Sequence, residues 1–306
     1  ITINLKLWMS MNITILGGTG FLGRSIINCL AKTKNNITII TRNREANKKI
    51  LVYPKVTLVE ANIHDLEELT QCTKKTDVLI NLVGILNEKG YSGRGFRKAH
   101  SDLARIILSA CKANNIKRLL HMSALNADSK GPSHYLRTKG EAESYLMTYG
   151  KRFLNITIFK PSVIFGKNDS FVLRFSNLLN YVPFVFPLAC YNAKFAPIFI
   201  DELSEFIVDS ISNTKSFNRS FNLCGPKIYS LKNILELIIK TKNIRTKVIP
   251  LSKSLSKIQA ATMEFIPGKP FSLDNYNSCK IDSYCDSDYD FYSDLETIIP
   301  TYINSN

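Results

Sequence analysis

Residues 13–23, ITILGGTGFLG, constrain the fold more than any other stretch of this chain. Four apolar or β-branched residues make a short buried strand. Gly17, Gly20 and Gly23 follow at GxxGxxG spacing and run into FLGRSIINCLAK, which has helical periodicity. In such a strand–turn–helix unit one glycine permits the tight turn off the strand. A second lets backbone approach a pyrophosphate, and a third lets the helix pack close to the sheet. The helix N-terminus then offers N–H groups and the positive end of its dipole to phosphate. Gly17, Thr19, Gly20, Phe21 and Gly23 are therefore expected to hold a dinucleotide.

The pattern downstream extends this unit into a fold. Strand-like runs at 13–16, 37–41, 56–60, 78–82, 118–122 and 156–160 alternate with helical patterns at 21–32, 66–72, 98–113 and 135–147. Strands that are apolar throughout and separated by helices imply a parallel sheet covered on both faces. The expected fold class is α/β, a doubly wound parallel-sheet Rossmann domain over residues 11–160. The ligand belongs at the carboxyl ends of the strands. After Pro161 prolines break the pattern into short pieces, and residues 161–306 read as a smaller α/β lobe interleaved with the first domain. In it Asp201 and Ser230 are placed to cap helices. Residues 1–10 precede the first strand and read as an extension, with Met9 or Met11 as a candidate start.

The end of the second strand bears on cofactor choice. An acid there would accept hydrogen bonds from the adenine ribose, but this chain has Thr41-Arg42-Asn43-Arg44. A guanidinium grips a 2′-phosphate with paired charge-assisted bonds, whereas a carboxylate repels it. Arg42 is the first candidate contact and Arg24 the second, so NADP(H) is expected before NAD(H).

Ser123 ends a strand, and Tyr135 and Lys139 stand four apart on the next helix, hence on one face. A free tyrosine titrates near 10 and a nearby ammonium would lower that value. Lys139 can also hold ribose hydroxyls, and Ser123 can bind a substrate carbonyl or alcohol. The three are candidate catalytic groups for hydride transfer at a carbon bearing oxygen. Tyr276 and Lys280 repeat the spacing in the irregular C-terminal region, with no serine-bearing strand before them; position selects the first copy.

These motifs resemble the short-chain dehydrogenase/reductase superfamily of the extended or atypical kind. HMSALNADSKGPSHYLRTKGEAE, FKPSVIFGKNDSF, FAPIFIDEL, FNLCGPKIYSLKNILEL and IQAATMEFIPGKPFSLDNYNS are similar to blocks of the branch that holds the nucleotide-binding accessory subunit of respiratory complex I and its bacterial relatives. The resemblance spans roughly residues 11–300. It implies NADP(H) on the glycine turn and Arg42, and Lys160, Pro161 and Val163 beside the nicotinamide. It also implies the Ser123, Tyr135 and Lys139 trio facing that ring. Asn62 departs from the branch, where many members carry an acid. Only twelve positions separate Ser123 from Tyr135, fewer than in most sugar-nucleotide epimerases.

The net charge of +15 is spread over scattered Lys and Arg, with no nucleic-acid signature, so nucleic acid is not expected as a partner. Seven cysteines form no CxxC pair and no metal spacing, which is read as reduced thiols in a cytoplasmic protein. No metal is expected. The stretch 181–190, YVPFVFPLAC, reads either as lobe core or as an apolar surface for membrane or a membrane complex. Three functions stay open: an NADP(H)-binding dehydrogenase-like protein of the complex I accessory kind, a sugar-nucleotide epimerase, dehydratase or reductase, and a non-catalytic assembly factor with bound nucleotide. The substrate is unknown, and association with a respiratory complex or the inner face of a membrane is a candidate placement.

Overall fold

The computed structural model describes residues 10–182, 184–266 and 269–303; all but Ser10 of the expected N-terminal extension lies outside them. Strands β1 (Asn12–Leu16), β2 (Asn36–Thr41), β3 (Val56–Glu60), β4 (Val78–Asn81), β5 (Arg118–Met122) and β6 (Asn155–Pro161) join a seventh, Arg219–Leu223, in one sheet. The spatial order is Arg219–Leu223, β6, β5, β4, β1, β2, β3, and every neighbouring pair is parallel. The direction of winding reverses between β1 and β4, which opens a crevice at their carboxyl ends.

Alternation along the strands feeds two cores. Ile13, Ile15, Val78 and Ile80 pack with the helices Phe21–Leu30 and Ile200–Asp209 on one face. Leu16 and Leu79 pack with Leu66–Cys72, Leu103–Ala113 and His134–Tyr149 on the other. Helix Phe21–Leu30 buries Leu22, Gly23, Ile26, Ile27 and Leu30, the stripe that its periodicity foretells. The helix expected over 98–113 is longer and irregular. A short turn at Arg94–Arg97 and a π-helical stretch at Lys98–Asp102 precede Leu103–Ala113.

The lobe has its own core. Helices Val172–Tyr181, Leu231–Thr241 and Leu295–Tyr302 enclose Phe165, Leu179, Ile234, Ile238 and Ile299. Strand Phe184–Leu188 pairs in parallel with Thr246–Pro250. Ser230 caps Leu231–Thr241 in a reciprocal box, its Oγ accepting from the Asn233 N–H at 3.1 Å. Asp201 does not cap. Its helix starts one residue earlier with Phe199 at the N-cap position, and the Asp201 carboxylate accepts from Ser25 Oγ at 3.0 Å instead.

Two further expectations are corrected. Cys224 and Cys285 form a disulfide across 61 residues, with Cα atoms 6.0 Å apart, so the cysteines are not all reduced. Pairing at that separation leaves no local pattern to read. The stretch 181–190 is neither all core nor all surface. Phe186, Leu188 and Ala189 are buried in the lobe core, while Tyr181 and Phe184 are 83% and 76% exposed.

Candidate nucleotide site

The crevice begins at the glycine turn. Gly17 has a φ of +78°, and a Cβ there would lie 3.1 Å from the backbone of Leu82 and Val83. A Cβ on Gly23 would lie 2.5 Å from Gly18 Cα, so helix and turn approach closer than any side chain allows. Gly20 is the N-cap of Phe21–Leu30 and no side chain caps that helix. Helices at Leu66, His134, Leu231, Lys253 and Leu295 are all capped by Asp or Ser side chains. Helices Leu103–Ala113 and Ile200–Asp209 lack a side-chain cap too, but Phe21–Leu30 is the uncapped one that starts directly off the glycine turn, where its free N–H groups make a seat for a pyrophosphate. Arg24 folds back on the turn, its Nε donating to the Thr19 carbonyl at 3.0 Å. Phe21 packs against the core below.

At the end of β2, Thr41 is buried and Arg42 is exposed. Arg42 has no carboxylate partner among the described residues. Nearby Glu60 is spent on the Arg44 backbone N–H at 2.6 Å. His64 has its pKa lowered by burial, with Lys98 and Arg42 adding to the effect, and its buried Nδ1 lacks a partner among the described residues. Positive potential therefore gathers at this end of the crevice.

The other end holds Ser123, Lys139 and Lys160, with the buried acid Glu143 among them. Glu143 accepts a short hydrogen bond from Ser123 Oγ and pairs with Lys160 Nζ at 3.3 Å. Burial raises its pKa against the pull of those partners. Lys139 is 3% exposed, and its Nζ donates to the Met122 carbonyl at 2.8 Å and the Val83 carbonyl at 3.4 Å. Burial lowers its pKa to about 8. Pro161 accepts from the Leu125 N–H, and Val163 packs against the lobe core.

Tyr135 departs from its expected chemistry. Its ring meets His100 edge-on at 5.6 Å and Phe96 at 6.2 Å. Burial pushes the phenol up to about 12, and the Asp274 carboxylate adds to the rise. The expected lowering by Lys139 is thus overturned, because that ammonium is turned to the ends of β4 and β5. Asp274 also accepts from the His134 and Tyr135 N–H groups at 2.6 and 3.1 Å, so it caps the helix from the C-terminal segment. His100 Nε2 accepts from the Ile85 N–H at 3.3 Å, which leaves Nδ1 to donate to Thr138 Oγ1 at 2.8 Å. The ring is neutral, its pKa lowered to about 2 by burial, Lys139 and His121. His100, Asp274 and Glu143 were missed from sequence. Only Glu143 carried a signal, since it lies four residues beyond Lys139 on the same helical face.

The NAD(P)H-binding family model matches residues 17–171, which is half of the chain and the part that builds this crevice. The chain belongs to the NAD(P)H-binding family. Members of that family accommodate a nicotinamide dinucleotide, and the Gly18–Gly23 approach and the uncapped helix fit such a ligand. The chain is 24% identical over 249 residues to mitochondrial NADH dehydrogenase (ubiquinone) 1 alpha subcomplex subunit 9 of Dictyostelium discoideum, covering 80% of this chain and 68% of that one. It is likewise 24% identical to the mitochondrial NADH-ubiquinone oxidoreductase 40 kDa subunit of Neurospora crassa, covering 80% of this chain and 64% of that one. The chain thus spans about two thirds of the length of these relatives. Among solved structures, the NADPH-dependent quinone oxidoreductase of Escherichia coli superposes with a TM-score of 0.70 at 19% identity, covering 88% of this chain and 89% of that one. The terminal R domain of the myxalamid pathway superposes at 0.72 and 17%, covering 97% and 91%. At such identities these two structures speak for the fold. The chain is an NAD(P)H-binding protein of Rossmann type, similar to NADH dehydrogenase subunits.

Proposed function

We propose that this NAD(P)H-binding protein prefers NADP(H), holds it for the most part as a bound component, and works in association with a respiratory complex at the membrane periphery. The observation that carries the cofactor preference is Arg42, exposed at the end of β2 with no carboxylate partner among the described residues. Lys98 adds positive charge on the same side, as its effect on His64 shows. The similarity to NADH dehydrogenase subunits supports the respiratory association. None of the helices among the described residues is long and apolar enough to cross a membrane, which leaves attachment to a surface as the mode of membrane association that these residues support.

The cofactor, when bound, supplies hydride. The residues present suit holding it better than using it. Ser123 donates its hydroxyl hydrogen bond to Glu143, and Lys139 spends its ammonium on two main-chain carbonyls. A second reading has support from Tyr135. A phenol raised to about 12 keeps its proton at neutral pH and can serve as a donor, so turnover would run toward reduction of a carbonyl.

Calorimetry with NADPH and NADH tests the preference. Arg42→Glu is expected to weaken NADPH by more than about tenfold through lost pairing and added repulsion, and to leave NADH nearly unchanged. Equal affinities in the parent protein would refute the preference. Bound NADPH that survives purification and resists oxidation by quinones, aldehydes and nucleotide sugars would favour the holding role.

A further inference from the structure

We propose that the groove between strand Thr246–Pro250 and helix Leu231–Thr241 docks on the anionic phospholipid headgroups of a bilayer, with Phe184 as its interfacial anchor. The proposal rests on the peripheral placement above and names the surface that achieves it. The groove has a volume of about 710 Å³ and is lined by Phe184, Tyr191, Lys240, Ile244, Arg245 and Lys247 among others. It lies in the lobe, apart from the nucleotide crevice.

Its charge is unbalanced. Lys232 is paired with Glu236 at 3.5 Å, but Lys240, Arg245 and Lys247 have no carboxylate partner among the described residues. Its apolar tip is exposed as well. Strand alternation would put Phe184 on the side of Phe186 and Leu188, which are buried. Phe184 instead adopts a φ of +71°, a left-handed value that bulky residues rarely hold, and its side chain is solvent-exposed. Tyr181 and Val185 beside it are exposed too.

Cations alone would suit any phosphate. Cations beside an aromatic and aliphatic tip suit a surface with charge outside and hydrocarbon just beneath, and aromatic side chains favour that boundary. The helix Lys253–Met263 extends the same character. It is tied to strand Phe184–Leu188 by Gln259, which donates to the Pro187 carbonyl at 2.9 Å and accepts from the Ala189 N–H at 3.2 Å. Leu255 and Ile258 of this helix are exposed beside Lys253 and Lys257.

Co-sedimentation of the full chain with phosphatidylcholine vesicles, with and without phosphatidylglycerol, tests the proposal. Binding is expected only where phosphatidylglycerol is present, and it should fall with salt. Arg245→Glu and Lys247→Glu should each weaken it by about fivefold or more, and Phe184→Ser by a similar factor. All three should retain NADPH affinity and the parent circular dichroism. Lys112→Glu, on the helix Leu103–Ala113 over the main sheet, makes the same charge change and should have little effect. Equal loss with Lys112→Glu would overturn the groove, because net charge alone would explain binding. Full competition by inorganic phosphate would overturn the bilayer in favour of a free anion. Vesicle binding that the groove variants leave intact would overturn the groove but keep peripheral placement. No vesicle binding at low salt would overturn the bilayer docking and leave peripheral placement to contacts with the respiratory complex itself, while NADPH titration still reports on the cofactor reading.

Discussion

Arg118 and Lys139 meet opposite ends of β5, and both are almost wholly shielded from water, at 4% and 3% exposure. Neither makes an ion pair among the described residues. The Arg118 guanidinium, at the amino end, donates to the carbonyls of Ser210, Ile211 and Asn155 and to the hydroxyls of Thr157 and Ser216. Phe217 covers its face at 4.5 Å. Burial lowers its pKa to about 10, so it stays charged at neutral pH with its hydrogen-bonding capacity consumed. The Lys139 ammonium, at the carboxyl end, has two carbonyl partners for three donors. Around it the polar groups are also incompletely used. His121 Nε2 is buried without a partner among the described residues, and the exposed Gly84 lies against Lys139 Nζ, with a Cβ there only 3.3 Å from it. One end of the strand is closed by its own contacts, and the other keeps capacity for a ligand. The parallel sheet explains the asymmetry, since successive loops at the carboxyl ends diverge at the winding reversal and leave a gap.

Two substitutions should separate these roles. Arg118→Met leaves buried carbonyls and hydroxyls without donors and is expected to cost more than about 3 kcal/mol in stability. Urea unfolding followed by circular dichroism measures it, and a loss below about 1 kcal/mol would show that water replaces the guanidinium at no great cost. NADPH affinity of the folded fraction should stay within about twofold of the parent, because that end is remote from the crevice.

Lys139→Met should give the opposite result. The change removes a buried charge, and the nearby Glu143 carboxylate keeps Lys160 and Ser123 as partners, so stability should move by less than about 1 kcal/mol in either direction. NADPH affinity should fall by about tenfold or more. The pH dependence follows from the depressed pKa of about 8, against an ordinary 10.5. Below about 8 the lysine is charged in both folded and unfolded states, and the cost of burying it is fully felt. Between there and 10.5 the unfolded chain binds more protons, so stability rises with pH across that window. NADPH affinity should fall over the same range as the ammonium is lost. Lys139→Met should show neither trend, and a parent protein whose NADPH affinity is flat to pH 10.5 would remove Lys139 from the site.

The open end of β5 was far more legible in sequence than the closed one. Ser123, Tyr135 and Lys139 announce themselves by spacing on one helix face and by the end of a strand, and Gly17 and Gly23 by the turn that only glycine can make there. Strand and helix positions followed from periodicity because each side of the sheet has its own apolar core. Arg118 was invisible, since its partners Ser210, Ile211 and Ser216 lie more than 90 residues away and come from the second half of the chain. The same holds for Asp274, which caps the helix His134–Tyr149 across about 140 residues, and for Cys224 with Cys285. Direction was harder to read than position. Spacing put Tyr135 and Lys139 on one face, but it could not show that burial and Asp274, 139 residues away, would raise the phenol. Phe184 and Phe186 show the limit most plainly. They are two apart in one strand, where alternation puts both on one side, yet Phe184 has a left-handed φ of +71° and is exposed while Phe186 is buried.

The smallest effect on binding is expected at Tyr135, and it sharpens the contrast with Lys139. The Tyr135 hydroxyl makes no hydrogen bond among the described residues, and its ring is held by Phe96 and His100. Tyr135→Phe keeps that packing and removes only a hydroxyl that burial and Asp274 already hold in its neutral form. NADPH affinity should therefore change by less than about twofold, and stability by less than about 0.5 kcal/mol. If the protein turns over a carbonyl substrate with this phenol as proton donor, the same variant should lose about 10² or more in kcat with KM little changed. A kcat equal to the parent would make Tyr135 a packed helix residue and leave the nucleotide as a held component. A tenfold loss of NADPH affinity would instead show that the phenol reaches the ribose, and that the division of labour between Lys139 and Tyr135 drawn from their partners is wrong.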